Sequence, residues 1–208
     1  MKALNYPQQQ RTTPLKTYLL LTSDRSHLFT RIFRRLTGSW FSHAALFFSS
    51  PPFESEGFYF ENTSPLINPE GGGGWRGPYN IKRVMNWRAH KPQVRDYRIM
   101  RLPTYTNETL SMQSRAFDFV GKVSYSHISL PVLAFRMLFH TTFPALADNA
   151  TNAICSETIA RVLCIRLQNQ LVQGGRFKYE DVLPSGHHKP ALSHIAEDDP
   201  WHQSHMTQ

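Results

Sequence analysis

The sequence predicts an α+β domain in which a small, mostly antiparallel sheet packs against a helix that begins at a cysteine. The chain has 208 residues, of which 40% are hydrophobic and 18% charged, and this suits one globular domain with a sizeable core. Short apolar runs bounded by turn residues predict strands. Longer stretches with apolar residues three and four positions apart predict helices.

These elements follow one another along the chain. Strands are predicted over residues 16–22, 43–48, 57–61 and 98–103. Helices are predicted over residues 24–36, 106–120 and 155–167. In the second helix, Phe117 and Val120 are expected on the inner face.

Three ranges describe the expected domain organisation. Residues 1–15 are polar and predict a flexible arm, residues 16–195 form the domain, and residues 196–208 form a flexible tail. The tail histidines are irregularly spaced, so no metal site is expected there. The glycine run within residues 69–78 predicts a mobile surface loop.

The formal net charge is +8, which is compatible with nucleic acid, an anionic membrane surface or an acidic cell-wall polymer as a partner. The one tight basic group is Arg31, Arg34 and Arg35, and the favoured interpretation is a solvated helix face. Nucleic acid is therefore not the expected partner. The N-terminal residues lack a signal-peptide pattern, which favours a cytoplasmic protein or export by a signal-independent route.

The most apolar stretch, residues 128–146, contains Arg136 and His140 and is interrupted by prolines. No transmembrane span is expected from it. It predicts a buried or capping helix, with a wall that accepts an acyl chain or rests on a membrane as the alternative.

Cys155 is the first candidate functional residue. It lies at the start of a predicted helix, where unpaired backbone N–H groups and the positive end of the helix dipole favour the thiolate form. Cys164 is nine positions further on, on the opposite side of the same predicted helix, so no disulfide joins the two. The alternative interpretation of Cys155 is a small buried core residue.

A thiolate nucleophile needs a general base and a group that orients the base. His43 opens an apolar strand and Glu61 ends the next one, and either side chain is costly to bury without a partner. A structural role for His43 remains an alternative. Other candidates for the orienting role are Glu54, Glu56 and Asn62.

Five segments, in order, resemble the motifs of one enzyme family. They are TGSWFSHAAL (37–46), FYFE (58–61), GKVSY (121–125), ICSE (154–157) and LPS (183–185). The chain resembles the circularly permuted NlpC-type papain-like cysteine hydrolases, nearest to their YiiX-like branch, which are related to lecithin retinol acyltransferase-like proteins. The resemblance spans residues 16–195 and implies a permuted papain-like fold.

The resemblance also implies roles for individual residues. Cys155 is expected to be the nucleophile, His43 the general base and Glu61 the orienting group. Residues expected near the substrate are Tyr125, Trp40 and Ser156.

The implied activity is cleavage or transfer of an amide or ester acyl group through a thioester, without a metal or organic cofactor. The first expectation is a peptidase or amidase that acts on peptidoglycan-type peptides, because a basic surface suits acidic wall peptides. The alternatives are a lipid-directed thioesterase or acyltransferase, and a non-catalytic module that binds nucleic acid or an anionic membrane.

Overall fold

A six-stranded antiparallel sheet forms the centre of the structure. The computed structural model describes residues 15–23, 31–32, 34–35, 38–49, 57–62, 80–84, 96–120, 124–125, 152–153, 155–171, 182–185 and 191–198. The glycine run, residues 128–146, Glu54 and Glu56 lie outside these ranges.

The strands of the described residues are short, and two of them belong to a separate pair. They are β1 (Lys16–Ser23), β2 (His43–Ser49), β3 (Gly57–Glu61), β4 (Asn80–Val84), β5 (Asp96–Arg101), β6 (Ser124–Tyr125), β7 (Asn152–Ala153) and β8 (Glu197–Asp198). The large sheet has the order β4-β3-β2-β1-β5-β8, and every neighbouring pair is antiparallel. Strands β6 and β7 form a parallel pair of their own.

Helices pack on one face of this sheet. The described helices are α1 (Thr106–Phe119), α2 (Cys155–Val162), α3 (Ile165–Leu171) and a 3₁₀ helix (Leu192–Ile195). None of the helices in these ranges is long and apolar enough to cross a bilayer. The predicted α+β class, with a mostly antiparallel sheet against the Cys155 helix, is confirmed.

Strands β1 and β2 are central to the sheet, and every residue after the first in each strand is buried. Successive side chains of a strand point to opposite faces, so Leu19 and Leu21 join the core under the helices while Leu20 joins a second core on the other face. Ile159 and Leu163, from α2 and the residue after it, complete the first core.

Helix α1 is fixed to its neighbours by polar contacts. Glu108 accepts the backbone N–H of Tyr105, at the helix start, over 3.0 Å. Glu108 also pairs with Arg166 of α3 over 2.8 Å, and Thr109 accepts a hydrogen bond from Thr17 of β1. These contacts join α1, α3 and the sheet into one unit.

The predicted single helix over 155–167 is wrong, because the chain breaks between α2 and α3. Backbone carbonyl groups near the break accept hydrogen bonds from side chains. Gln168 donates to the oxygen of Ala160 over 3.0 Å, and Arg115 donates to that of Leu163 over 2.8 Å. Cys164 lies in this break and not on the helix of Cys155. Both cysteines are free and buried.

The predicted inner face of α1 is also wrong. Phe117 and Val120 are 45% and 41% exposed, while Thr109, Met112 and Ala116 are buried. The buried stripe consists of small or flexible side chains because the helix lies close to the sheet and α2. Phe117 instead covers Phe58 at the margin, with ring centroids 5.5 Å apart.

Two boundaries differ from prediction at one edge of the sheet. The strand expected over 98–103 runs from Asp96 to Arg101. The tail predicted over 196–208 starts too early, because Glu197–Asp198 form β8 on β5. Arg98 holds Asp198 there through three hydrogen bonds of 2.6–2.9 Å. The two residues are far apart in the sequence, so a local sequence pattern does not predict this ion pair.

Candidate active site

His43 and Glu61 are brought together by the register of two neighbouring strands. Ala45 of β2 pairs with Glu61 of β3, and His43 lies two residues before Ala45 on the same face. Diagonal neighbours of this kind are within reach of long side chains. The Nε2 atom of His43 lies 3.0 Å from Oε2 of Glu61.

Glu61 is completely buried, whereas the His43 side chain is 22% exposed. A buried carboxylate is costly unless donors surround it. Besides His43, the hydroxyl of Tyr59 donates to the same Oε2 atom over 2.9 Å. Tyr59 is itself buried, so the carboxylate is enclosed by side chains that hold its orientation.

Cys155, the first residue of α2, lies close to the start of β2, where His43 is located. The charges of the two groups act on each other: the thiolate raises the pKa of His43, and the imidazolium lowers the pKa of Cys155. The Sγ atom also lies 3.9 Å from the carbonyl oxygen of Ser42, at the start of β2. The three predicted catalytic residues therefore form one connected chain of contacts.

The charges of this site shift two pKa values in opposite directions. Burial alone lowers the pKa of His43, but the Cys155 thiolate charge and hydrogen bonds to Cys155 and Glu61 outweigh it, raising that pKa to about 9. Burial alone raises the pKa of Cys155. The imidazolium charge, the His43 hydrogen bond and the backbone N–H groups of Ala44 and Ser156 outweigh it, so that pKa lies below its usual value. A thiolate–imidazolium pair is thus favoured near neutral pH.

Cys164 has the opposite environment. Burial is the main reason that its pKa is raised, and the nearby Glu108 carboxylate adds to the effect. The two cysteines of the chain therefore differ in the stability of their thiolates.

Asn62 connects the strand of Glu61 to the helix of Cys155. Its side-chain amide donates to Thr158 over 3.0 Å, and both residues are buried. Thr158 lies three residues after Cys155 in α2. Asn62 was an alternative for orienting the imidazole, but its described bond fixes the distance between the strand and the helix.

The side chains of Ser156 and Glu157 make structural contacts within the protein. The Ser156 hydroxyl is buried and donates to the carbonyl oxygen of Val182 over 2.6 Å, so this predicted substrate-binding side chain is engaged elsewhere. Glu157 is buried and forms an ion pair with Arg161, one helical turn further on, over 2.5 Å. That pair anchors the start of α2.

The two other predicted substrate residues, Trp40 and Tyr125, are close in sequence or in strand pairing to residues of the site. Trp40 is 67% exposed and lines an open cavity. The backbone of Tyr125 pairs with Ala153, two residues before Cys155; its side chain lies outside the described part of the structure.

Tyr59 is the residue of this site that the sequence did not single out. It stands between Phe58 and Phe60, where an aromatic side chain indicates core packing. One signal was available: residues 59 and 61 share a face of a strand, and a buried carboxylate needs a donor.

Within the residues that the structure describes, no group of three or more His, Cys, Asp or Glu side chains is placed to hold a metal ion. The group containing Arg31 and Arg35 is helical, and these two side chains are exposed.

Comparisons of the chain with models of known protein families and with curated proteins found no match. The geometry of the site is therefore the main evidence for function.

Proposed function

We propose that the protein is a papain-like cysteine hydrolase that cleaves or transfers an amide or ester acyl group through a thioester on Cys155. The observation that carries this proposal is the position of His43: its ring lies 3.0 Å from the buried carboxylate of Glu61, and it is close enough to Cys155 for each group to shift the pKa of the other. A nucleophile, a base and a third group that fixes the base are the parts such chemistry requires.

Each residue has a definite role in the proposed reaction. The Cys155 thiolate attacks the carbonyl carbon, and the C=O electron pair moves to oxygen. When the carbon–nitrogen or carbon–oxygen bond breaks, imidazolium His43 gives its proton to the leaving amine or alcohol. A water molecule then attacks the thioester while His43 takes its proton. The acid leaves and the thiolate is restored.

Glu61 supports both halves of this cycle. It accepts the Nε2–H of His43, which leaves Nδ1 directed at the sulfur. The oxyanion that forms during attack needs N–H donors close to the sulfur. The backbone N–H groups of Ala44 and Ser156 are among the groups that lower the pKa of Cys155, and we propose them, with the Cys155 N–H at the start of α2, as the donors.

The family resemblance belongs to the same proposal. The chain presents a histidine strand, then a glutamate strand, then a cysteine helix, which is the permuted papain-like order. A peptide amide is the proposed substrate class, with peptidoglycan-type peptides as the first choice because the net charge of +8 suits acidic peptides.

Acylation by 4-nitrophenyl acetate tests the proposal. We expect a burst of 4-nitrophenolate of about one equivalent per chain, as for a covalent acyl-enzyme. Mass spectrometry should find one acetyl group on the peptide that contains Cys155. The burst should vanish in Cys155→Ala and persist in Cys164→Ala, the matched control. A wild-type chain that gives neither burst nor acetylated Cys155 would refute the proposal.

A further inference from the structure

A cavity of about 620 Å³ has Trp40 and Phe41, which lie just before β2, among its lining residues, and this volume is typical of small-ligand pockets. Its walls combine apolar and polar groups. Trp40, Phe41 and Met100 supply apolar surface, while Arg98 and His194 are among its polar members.

Both walls of this cavity are formed by segments that also contact Cys155 or its helix. Trp40 and Phe41 directly precede Ser42, whose carbonyl oxygen lies 3.9 Å from the Cys155 sulfur. The opposite wall includes Ser185, which is hydrogen-bonded to Ser39 over 3.0 Å. The segment that carries Ser185 is also attached to α2, since Val182 accepts the Ser156 hydroxyl.

Strand register gives the distance between Arg98 and the part of β2 that lies near the Cys155 sulfur. Leu21 of β1 pairs with Ala44 on one side and with Arg98 on the other. Arg98 therefore lies two strands from Ala44, about 10 Å away, because neighbouring strands are about 4.8 Å apart. Ala44 lies two residues after Ser42, whose carbonyl oxygen is 3.9 Å from the Cys155 sulfur, and its N–H lowers the pKa of that sulfur. About three extended residues span this distance, at about 3.3 Å each.

The far end of the cavity offers positively charged donors. Arg98 uses Nε and Nη2 to hold Asp198, and no bond of its Nη1 atom to another described residue is found. Asp198 thus fixes the guanidinium plane and leaves the Nη1 edge open. A charged N–H donor binds a carboxylate more strongly than a neutral group, so this end of the cavity favours a ligand that carries a carboxylate.

We propose that this cavity is the substrate-binding subsite of the hydrolase and takes a short peptide. An apolar or aromatic residue next to the scissile carbonyl packs on Trp40, and a carboxylate two residues earlier binds Arg98. This inference rests on the proposed function, since it assigns the substrate of the same site.

Two peptide amides that differ in one group test it: acetyl-Glu-Ala-Phe and acetyl-Gln-Ala-Phe, each joined to 7-amino-4-methylcoumarin. The wild-type chain should cleave the Glu peptide with a kcat/KM about tenfold higher, the size expected from one charge-assisted hydrogen bond. Arg98→Met should abolish this preference. Arg101→Met is the matched control and should keep it, because Arg101 pairs with Glu197 of β8 and does not line the cavity.

Trp40 provides a second measurement. Trp40→Ala should raise KM for the Glu peptide several-fold, and the rate of Cys155 alkylation by iodoacetamide should stay unchanged. Normal acylation by 4-nitrophenyl acetate combined with equal turnover of the two peptides, or with turnover of neither, would overturn the subsite alone. A preference that survives Arg98→Met would do the same. Absence of acylation in the wild-type chain would overturn the proposed function and the subsite with it.

Discussion

The hydroxyl of Tyr59 donates a 2.9 Å hydrogen bond to Oε2 of Glu61, the same oxygen atom that lies 3.0 Å from Nε2 of His43. One carboxylate oxygen therefore joins a buried phenol to the imidazole that contacts Cys155. Burial raises the pKa of Tyr59 well above its usual value, and the neighbouring Glu61 charge adds to this. The phenol accordingly stays protonated and remains a donor over the working pH range.

Tyr59→Phe should impair catalysis by removing that donor. A buried carboxylate with one hydrogen-bond donor fewer is less stable in its ionised form. Glu61 should therefore stabilise the protonated form of His43 less. We expect kcat/KM to fall roughly tenfold. This corresponds to about 1.4 kcal/mol of activation free energy, which is less than a hydrogen bond to a charged group usually contributes. The acid limb of Cys155 alkylation by iodoacetamide should move to higher pH.

Tyr18→Phe is the control for losing a buried phenol. Tyr18 belongs to the same core cluster, but it lies four positions along β1 from Thr22, the partner of His43, or about 13 Å. Its variant should leave the alkylation profile in place. A Tyr59→Phe chain that melts at a lower temperature yet keeps the wild-type profile would indicate that Tyr59 serves only the core.

The pH dependence of hydrolysis should be bell-shaped. Below the lowered pKa of Cys155 the sulfur is protonated and cannot attack. Above about pH 9 His43 loses its proton and cannot protonate the leaving group. The plateau should therefore lie between these limits, and the two limbs belong to the coupled pair. Measuring kcat/KM from acidic to strongly alkaline pH checks this prediction.

His43→Ala isolates the contribution of the imidazole to the thiolate. Without the imidazolium charge, the pKa of Cys155 should rise, because burial then dominates. Alkylation of Cys155 near neutral pH should slow at least tenfold, which is about one pKa unit. Cys164, whose pKa is already raised, should react slowly in both chains. Equal rates at Cys155 with and without His43 would contradict a thiolate–imidazolium pair.

Cys155, His43 and Glu61 could be singled out from the sequence because each of them carries a local signal. Cys155 is the first residue of an amphipathic helix, His43 begins an apolar strand and Glu61 ends another, and a charged group is unexpected in such strands. The bond between Asn62 and Thr158 has no such signal, since 96 residues separate the two. Strand β4 was not predicted because Asn80–Val84 has only two apolar residues, and its place is decided by pairing with β3.

Glu108→Gln should destabilise the fold at neutral pH. Hydrogen bonds from Arg166 are the main reason that the pKa of Glu108 is lowered to about 2, against an ordinary value of 4.5. A lowered pKa means that this stabilisation is complete above about pH 4.5 and disappears as the pH falls through about 2. We expect a loss of about 1–3 kcal/mol at pH 7 by urea unfolding.

Glu197→Gln is the matched control, because it breaks an ion pair of similar chemistry. Its partner is Arg101, and both side chains are exposed to solvent, so the expected loss is below about 0.5 kcal/mol. The difference between the two variants should shrink as the pH approaches 2. A constant difference at all pH values would show that the Glu108 charge is not its source.

Gly57→Ala should destabilise the sheet that carries His43. A Cβ atom at Gly57 would lie 2.5 Å from the carbonyl oxygen of Phe48 and 2.8 Å from the ring of Phe47. The first of these atoms belongs to the backbone of β2, so the strand itself would have to move. Overpacking of this kind costs about 1–3 kcal/mol, which a lower urea midpoint would reveal.

Gly38 provides the contrast, because its requirement is conformational. Its φ is +64°, and nothing lies within 4 Å of a Cβ atom built there. Asn adopts this left-handed conformation more readily than Ala, so Gly38→Asn should cost less than Gly57→Ala. Because β2 begins five residues after Gly38, a displaced β2 should lower kcat/KM in Gly57→Ala, while Gly38→Asn should retain it. Equal urea midpoints for the two variants would contradict this prediction. They would show that β2 does not have to move to accommodate a Cβ atom at Gly57.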